Sequence, residues 1–168
     1  MTLTVLVVED DARVRGLVRG RLESAGYAVV ESSSAEEALG RFPAAAAPDL
    51  VITDIVLPGK SGLNLIGDLR KQFPEIRIVA MSGALDSDVP AVLRQSREMG
   101  ASYGLPKPFT TAQLLQAVET ALTGPAAPVP IPDSAERKMR LSQSMRWSLL
   151  AVLVVLLVLM FAIAMFRR

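Results

Sequence analysis

Over the first 123 residues the apolar side chains follow two rhythms: short runs of Val, Ile and Leu, and longer stretches where they recur every three or four positions. The runs read as buried strands and the spaced stretches as amphipathic helices. Thr2 to Val8 is the first run and ends abruptly in Glu9-Asp10-Asp11. From Ala12 to Ala25, Val14, Leu17, Val18 and Leu22 form a helical stripe, and Gly26 supplies the stop. Tyr27 to Val30 returns to strand composition. Ser34-Ala35-Glu36-Glu37 matches a capping box for a short helix through Phe42. The alanine stretch from Pro43 to Pro48 predicts a loop, although its alanines could extend the helix slightly.

The third apolar run, Leu50 to Thr53, stops at Asp54, and Pro58-Gly59 then turns the chain into a new helix, Gly62 to Phe73, carrying Leu63, Leu65, Ile66 and Leu69. Ile76 to Met81 is a fourth strand, closed by Ser82-Gly83. Asp88 to Met99 is a fourth helix, with Pro90 near its start and Gly100 after its end. Ser102 to Leu105 is a short fifth strand, followed by Pro106-Lys107-Pro108-Phe109. Thr110 to Leu122 closes the domain with Leu114, Leu115, Val118 and Leu122 on one face. Strands alternating with helices in this way predict an α/β fold, a doubly wound five-stranded parallel sheet. Right-handed crossovers favour the flavodoxin-like order 2-1-3-4-5.

Beyond residue 123 the pattern changes. Four prolines between Gly124 and Pro132 make an extended spacer. Residues 134–146 are polar and basic, and Trp147 to Phe166 is apolar throughout apart from Ser148. Twenty residues of helix span about 30 Å, the thickness of a bilayer core. Trp147 at one edge and Arg167-Arg168 at the other suit interfacial anchoring. The expected organisation is therefore a globular domain over 1–123, a proline-rich linker over 124–133, a basic juxtamembrane segment over 134–146 and a C-terminal transmembrane helix over 147–166. A helix buried in a soluble oligomer is the alternative for the last segment. It contains no Gly-x-x-x-Gly pair, so helix-driven dimerisation is not indicated and the oligomeric state stays open.

Charge sharpens this division. Residues 1–123 hold 12 basic and 15 acidic side chains, a net of −3, whereas residues 124–168 hold 6 and 2, a net of +4. A mildly acidic domain argues against a nucleic-acid surface, and the basic excess beside an apolar run points to membrane lipid. No signal sequence opens the chain, and four basic residues precede the span against two after it. Both predict that the folded domain lies in the cytoplasm of a single-pass protein. The chain has no Cys and no His. Disulfides, thiol or imidazole chemistry and ordinary zinc sites are excluded together, leaving carboxylates, hydroxyls, Lys and Arg, with Mg²⁺ the natural metal.

In a parallel sheet the C-terminal strand ends share one edge, where such folds bind ligands. That edge receives Glu9 and Asp10 after strand one, Asp54 after strand three, Ser82 after strand four and Lys107 after strand five. Singly, each has a plain reading: acids at a helix N-terminus, a turn residue, a solvated loop lysine. Jointly they place three carboxylates, a hydroxyl and an ammonium around one volume. A divalent cation and Lys107 would relieve the repulsion, and the set suits a phosphoryl group.

From Thr2 to about Leu122 the chain resembles the receiver domain of two-component response regulators. The resemblance rests on Val7-Val8-Glu9-Asp10-Asp11, Asp54 with Leu57-Pro58-Gly59 and Ser61-Gly62, Met81-Ser82-Gly83, and Lys107-Pro108-Phe109. It implies that Asp54 accepts a phosphoryl group from a sensor histidine kinase or phosphotransfer protein. Glu9, Asp10, Asp54 and the Val56 carbonyl would hold Mg²⁺, Ser82 would bond a phosphoryl oxygen, Lys107 would pair with the phosphoryl group, and the Lys107-Pro108 peptide would be cis. Such a protein is a phosphoacceptor, not an enzyme on a separate substrate. Joined to the apolar tail, the expectation is a receiver tethered to the bacterial inner membrane, with a non-phosphorylated docking scaffold of the same fold as the alternative. A haloacid-dehalogenase-like phosphatase would need a second acid two residues after its nucleophile, where Val56 stands. One departure concerns the switch aromatic, usually three residues before the Lys; here that position is Gly104, and Tyr103 belongs to the opposite face. By the same resemblance Val56 and Ala84 flank the path of a hydrolytic water, and neither offers it a hydrogen bond.

Overall fold

The computed structural model describes residues 2–41, 47–83 and 88–124. Phe42, most of the alanine stretch, Ala84, the linker beyond Gly124, the basic segment and the apolar run 147–166 lie outside them. Among the described residues no helix is long and apolar enough to cross a membrane.

Five strands, β1 (Thr4–Val8), β2 (Ala28–Ser32), β3 (Leu50–Asp54), β4 (Arg77–Ser82) and β5 (Tyr103–Pro106), alternate with five helices. The helices are α1 (Ala12–Ser24), α2 (Ala35–Arg41), α3 (Gly62–Gln72), α4 (Val89–Glu98) and α5 (Thr111–Thr123). All strand pairs are parallel and the order is β2-β1-β3-β4-β5. Alternation along the strands divides the core in two. Leu6, Val8, Val51, Ile78 and Ala80 meet Ala35, Leu65, Ile66 and Leu93 on one face of the sheet. Val5, Val7, Ile52, Val79 and Met81 meet Val18, Leu22, Leu114 and Val118 on the other. The central strands are apolar on both sides because helices cover both faces.

Several boundaries move by a residue or two from the sequence reading. The second strand runs two residues further than Val30, because Glu31 and Ser32 stay in register with Val7 and Val8. The fourth begins at Arg77, since the Ile76 amide is spent on a turn to the Phe73 carbonyl (3.1 Å). The capping box of α2 forms differently from the pattern. Ser34 Oγ accepts the Glu37 amide (3.2 Å), but the Glu37 carboxylate takes the amide of Ser33 (2.7 Å). The full reciprocal box occurs instead on α5, between Thr110 and Gln113. The buried face of α5 is Leu114, Ala117, Val118 and Ala121, with Leu115 and Leu122 at its margins. In α1, Val18 and Leu22 are buried as the predicted stripe requires, but Leu17, which the same stripe included, is 52% exposed.

Two contacts fix α4. Arg70, a charged residue within α3, is 1% exposed. Its Nε and Nη2 donate to the Gly100 carbonyl at 2.9 and 2.7 Å, and Nη1 donates to the Pro74 carbonyl. Burial holds this guanidinium below its ordinary pKa, and the carbonyl oxygens compensate its lost water. Gly100 has φ +110°, and a Cβ there would lie 2.8 Å from Arg70 Cγ, so both backbone conformation and space require glycine. Further along, a Cβ on Gly104 would lie 3.1 Å from Leu93 Cβ: Leu93 of α4 rests directly on the bare backbone of β5. Tyr103 packs on the opposite face, as its position in the strand predicts.

Candidate functional site

The C-terminal ends of β1, β3, β4 and β5 meet at one edge. After β1 the three acids divide their tasks. Asp11 caps α1, its Oδ1 accepting the amides of Arg13 (2.7 Å) and Val14 (3.2 Å), bonds that hold its pKa below the ordinary carboxylate value. Glu9 is 2% exposed and Asp10 is open to solvent.

Asp54 ends β3 and is 7% exposed. Its Oδ1 accepts the Val56 amide at 3.3 Å, and its Oδ2 accepts Lys107 Nζ at 2.8 Å. The same ammonium donates to Glu9 Oε2 at 2.7 Å. Lys107 thus joins acids 98 and 53 residues away in sequence. Its own place is set by its amide, which donates to the Ser82 carbonyl (2.6 Å), and by the cis Lys107-Pro108 peptide. Ser82 is fully buried at the end of β4, in register with Pro106. The loop after Asp54 is closed by Gly62, whose amide donates to the Ile55 carbonyl (2.9 Å).

One ammonium bonds two of the three clustered carboxylates, and the protonation balance follows. Burial pushes the Glu9 carboxyl above its ordinary pKa; the Lys107 hydrogen bond opposes the rise, and the charge of Asp54 adds to it. Burial pulls Lys107 down, but its hydrogen bonds and charge contacts with Asp54 and Glu9 outweigh that and leave the ammonium raised. Above the site opens a cleft of about 570 Å³. One wall is apolar, made by Val14, Leu17, Pro108 and Phe109, with the Arg21 guanidinium 6.0 Å from the Phe109 ring centroid. Val56, 44% exposed, stands on its rim.

Residues 5–119 match the response regulator receiver domain family. The chain belongs to this family. It is 37% identical over 132 residues to the DNA-binding transcriptional regulator NtrC of Azospirillum brasilense, covering 79% of this chain and 27% of that protein. It is 34% identical to the transcriptional regulatory protein FixJ of Azorhizobium caulinodans over 124 residues, 72% of this chain and 56% of FixJ. Among solved structures, the receiver domain of NtrX from Brucella abortus superposes with a TM-score of 0.66 at 32% identity, covering 72% of this chain and 99% of that one. The chain spans only about a quarter of the NtrC relative.

Receiver domains are phosphoacceptors that bind Mg²⁺ at an acidic site and interact with sensor histidine kinases or phosphotransfer proteins. The donor set in this receiver fits that ion. Glu9, Asp10 and Asp54 each offer an oxygen, and these atoms lie within 4.8 Å of one another. All three donors are hard carboxylate oxygens, the class Mg²⁺ prefers.

Glu9, Asp10, Asp54, Ser82 and Lys107 therefore all lie at this edge, Glu9, Asp54 and Lys107 in direct contact. The sequence reading missed the receiver's apolar cleft wall, because Leu17 fits a core stripe as well as a rim. It also missed Arg15, whose Nη1 donates to the carbonyls of Glu9 (2.6 Å) and Asp10 (3.2 Å). A six-residue spacing back to Glu9 across a loop leaves no periodic signal.

Proposed function

We propose that this receiver takes a phosphoryl group onto Asp54 from the phosphohistidine of a sensor kinase or phosphotransfer protein, and does so at a membrane. The observation that carries the first part is the Lys107 ammonium held between Glu9 and Asp54. A carboxylate oxygen of Asp54 attacks phosphorus as the bond from phosphorus to the imidazole nitrogen breaks. That nitrogen keeps the bonding pair, and an acyl phosphate remains on Asp54. Lys107 moves with the charge, from the carboxylate to an oxygen of the transferred group. Ser82 bonds another of its oxygens. Glu9, Asp10, Asp54 and the Val56 carbonyl would hold Mg²⁺, which when bound supplies further neutralisation of the phosphoryl oxygens. The apolar wall of Val14, Leu17 and Phe109 gives the donor protein a surface beside the nucleophile.

Placement at the bacterial inner membrane rests on residues 147–166 and their flanking Trp147 and Arg167-Arg168. The receiver lies on the cytoplasmic side, where kinases and ATP are, and no nucleic-acid contact is assigned to it. Two experiments test the proposal. Purified protein with Mg²⁺ and a small-molecule phosphodonor should become labelled, and Asp54→Asn should abolish the label; undiminished labelling of that variant refutes the phosphoacceptor assignment. The protein should stay with membranes through salt and carbonate washes and be released by detergent. Release by carbonate refutes the tether.

A further inference from the structure

The β1–α1 turn carries two of the three acids assigned to the metal, and Asp10 is exposed to solvent. Its direction is set by the backbone of residues 9 and 10. That backbone is held from two sides. On one, the Asp11 carboxylate caps α1. On the other, Arg15 reaches back from the first turn of α1 and donates from Nη1 to the carbonyls of both Glu9 and Asp10, at 2.6 and 3.2 Å. Arg15 is itself held: its Nε lies 3.5 Å from Glu31 Oε1 at the end of β2, and its side chain is 18% exposed. Glu31 also receives Arg19 at 2.7 Å, so Arg19 shares the partner without touching the turn.

We propose that Arg15 is a positioning residue for the metal acids: it fixes the peptide planes of Glu9 and Asp10 so that both carboxylates converge on Asp54. The inference rests on the assignment of Mg²⁺ to Glu9, Asp10 and Asp54. The guanidinium donates from Nη1 to both carbonyls while Nε of the same plane faces Glu31, so the two carbonyls are tied to a fixed strut. A lysine ammonium on a flexible stem has one nitrogen and imposes no such plane. Outer partners of this kind usually alter metal affinity ten- to a hundredfold. Arg15 acts through the backbone, which places it at the lower end, about tenfold.

The test is calorimetric titration of Mg²⁺ into the 168-residue chain in detergent, with the thermal midpoint of each variant measured in metal-free buffer. Arg15→Gln should weaken Mg²⁺ binding about tenfold. Arg15→Lys, which keeps the charge and loses the fork, should recover less than half of that loss on a logarithmic scale. Arg19→Gln removes an equal charge from the same ion-pair group and should stay within twofold of wild type. If Arg15→Lys binds Mg²⁺ as tightly as wild type, only charge matters and the positioning role is overturned. It is equally overturned if the Arg15 variants lose thermal stability while their Mg²⁺ affinity is unchanged. Failure of the underlying metal assignment looks different: wild type would bind no Mg²⁺, or Asp10→Asn would bind it undiminished.

Discussion

Substituting alanine at Gly62 sets two physical effects against each other, and the structure decides between them. Gly62 opens α3 after the Ser61 cap, and in a helix alanine is intrinsically better than glycine by up to about 1 kcal/mol. A Cβ at this position, however, would lie 1.9 Å from the Asp54 carbonyl oxygen and 2.8 Å from Ile55 Cα. Unstrained contacts between nonbonded heavy atoms fall near 3.5 Å, so backbone must part from backbone by about 1.6 Å. Neither neighbour is a movable side chain. The separation also stretches the Gly62 to Ile55 hydrogen bond, worth about 1 kcal/mol. Overpacking of this kind costs about 3 kcal/mol, so the net loss is about 3 kcal/mol once propensity is credited, or roughly 10 °C in thermal midpoint. Gly16 and Gly20 in α1 are the internal control. Nothing lies within 4 Å of a Cβ at either, and alanine there should stabilise by about 0.5–1 kcal/mol. Urea unfolding of the chain ending at Gly124, followed by far-ultraviolet circular dichroism, measures all three. Equal stability of Gly62→Ala and Gly16→Ala would refute the reasoning.

Val56 stands on the rim of the cleft with an apolar side chain, so the acyl phosphate should hydrolyse slowly; Val56→Asn, offering a hydrogen bond to water, should accelerate phosphoryl loss about tenfold. Phosphoryl loss followed from the isolated protein checks this, and an unchanged or slower variant removes its basis. A chain ending at Gly124 should be soluble and still accept phosphate, because residues 5–119 hold the whole matched domain; sedimentation and labelling test both halves. Arg70→Met should cost about 2 kcal/mol in urea unfolding, since it leaves the buried Gly100 carbonyl without its donor.

The helix alternation and the edge that gathers Glu9, Asp54, Ser82 and Lys107 were legible because each depends on a local signal, and the strand order followed from the handedness of parallel crossovers. A Val-rich run ending at a carboxylate needs no tertiary information to be read. Boundaries were less legible where tertiary pairing overrides composition: Glu31 and Ser32 are polar, yet they extend β2 because β1 offers partners in register. Long side chains that reach carbonyls were invisible. Arg70 occupies a position in α3 that its charge assigns to solvent, and only the glycine corner thirty residues later explains its burial. Leu17 shows the converse, an apolar residue at a core spacing that the sheet leaves uncovered.

The clamp between Arg70 and Gly100 has a mechanical consequence for α4. A guanidinium buried against a carbonyl anchors the corner that follows the helix, while further along α4 is held by apolar packing, with Leu93 resting on the backbone of Gly104. A helix anchored at one end can reorient only by swinging about that end. Ten residues make a lever arm of about 15 Å, so a tilt of about 10° carries Val89 some 2.6 Å while Glu98 scarcely moves. Any tilt of α4 would therefore grow steadily toward its N-terminal end, the pointer of the lever, with the Gly100 corner as its fulcrum.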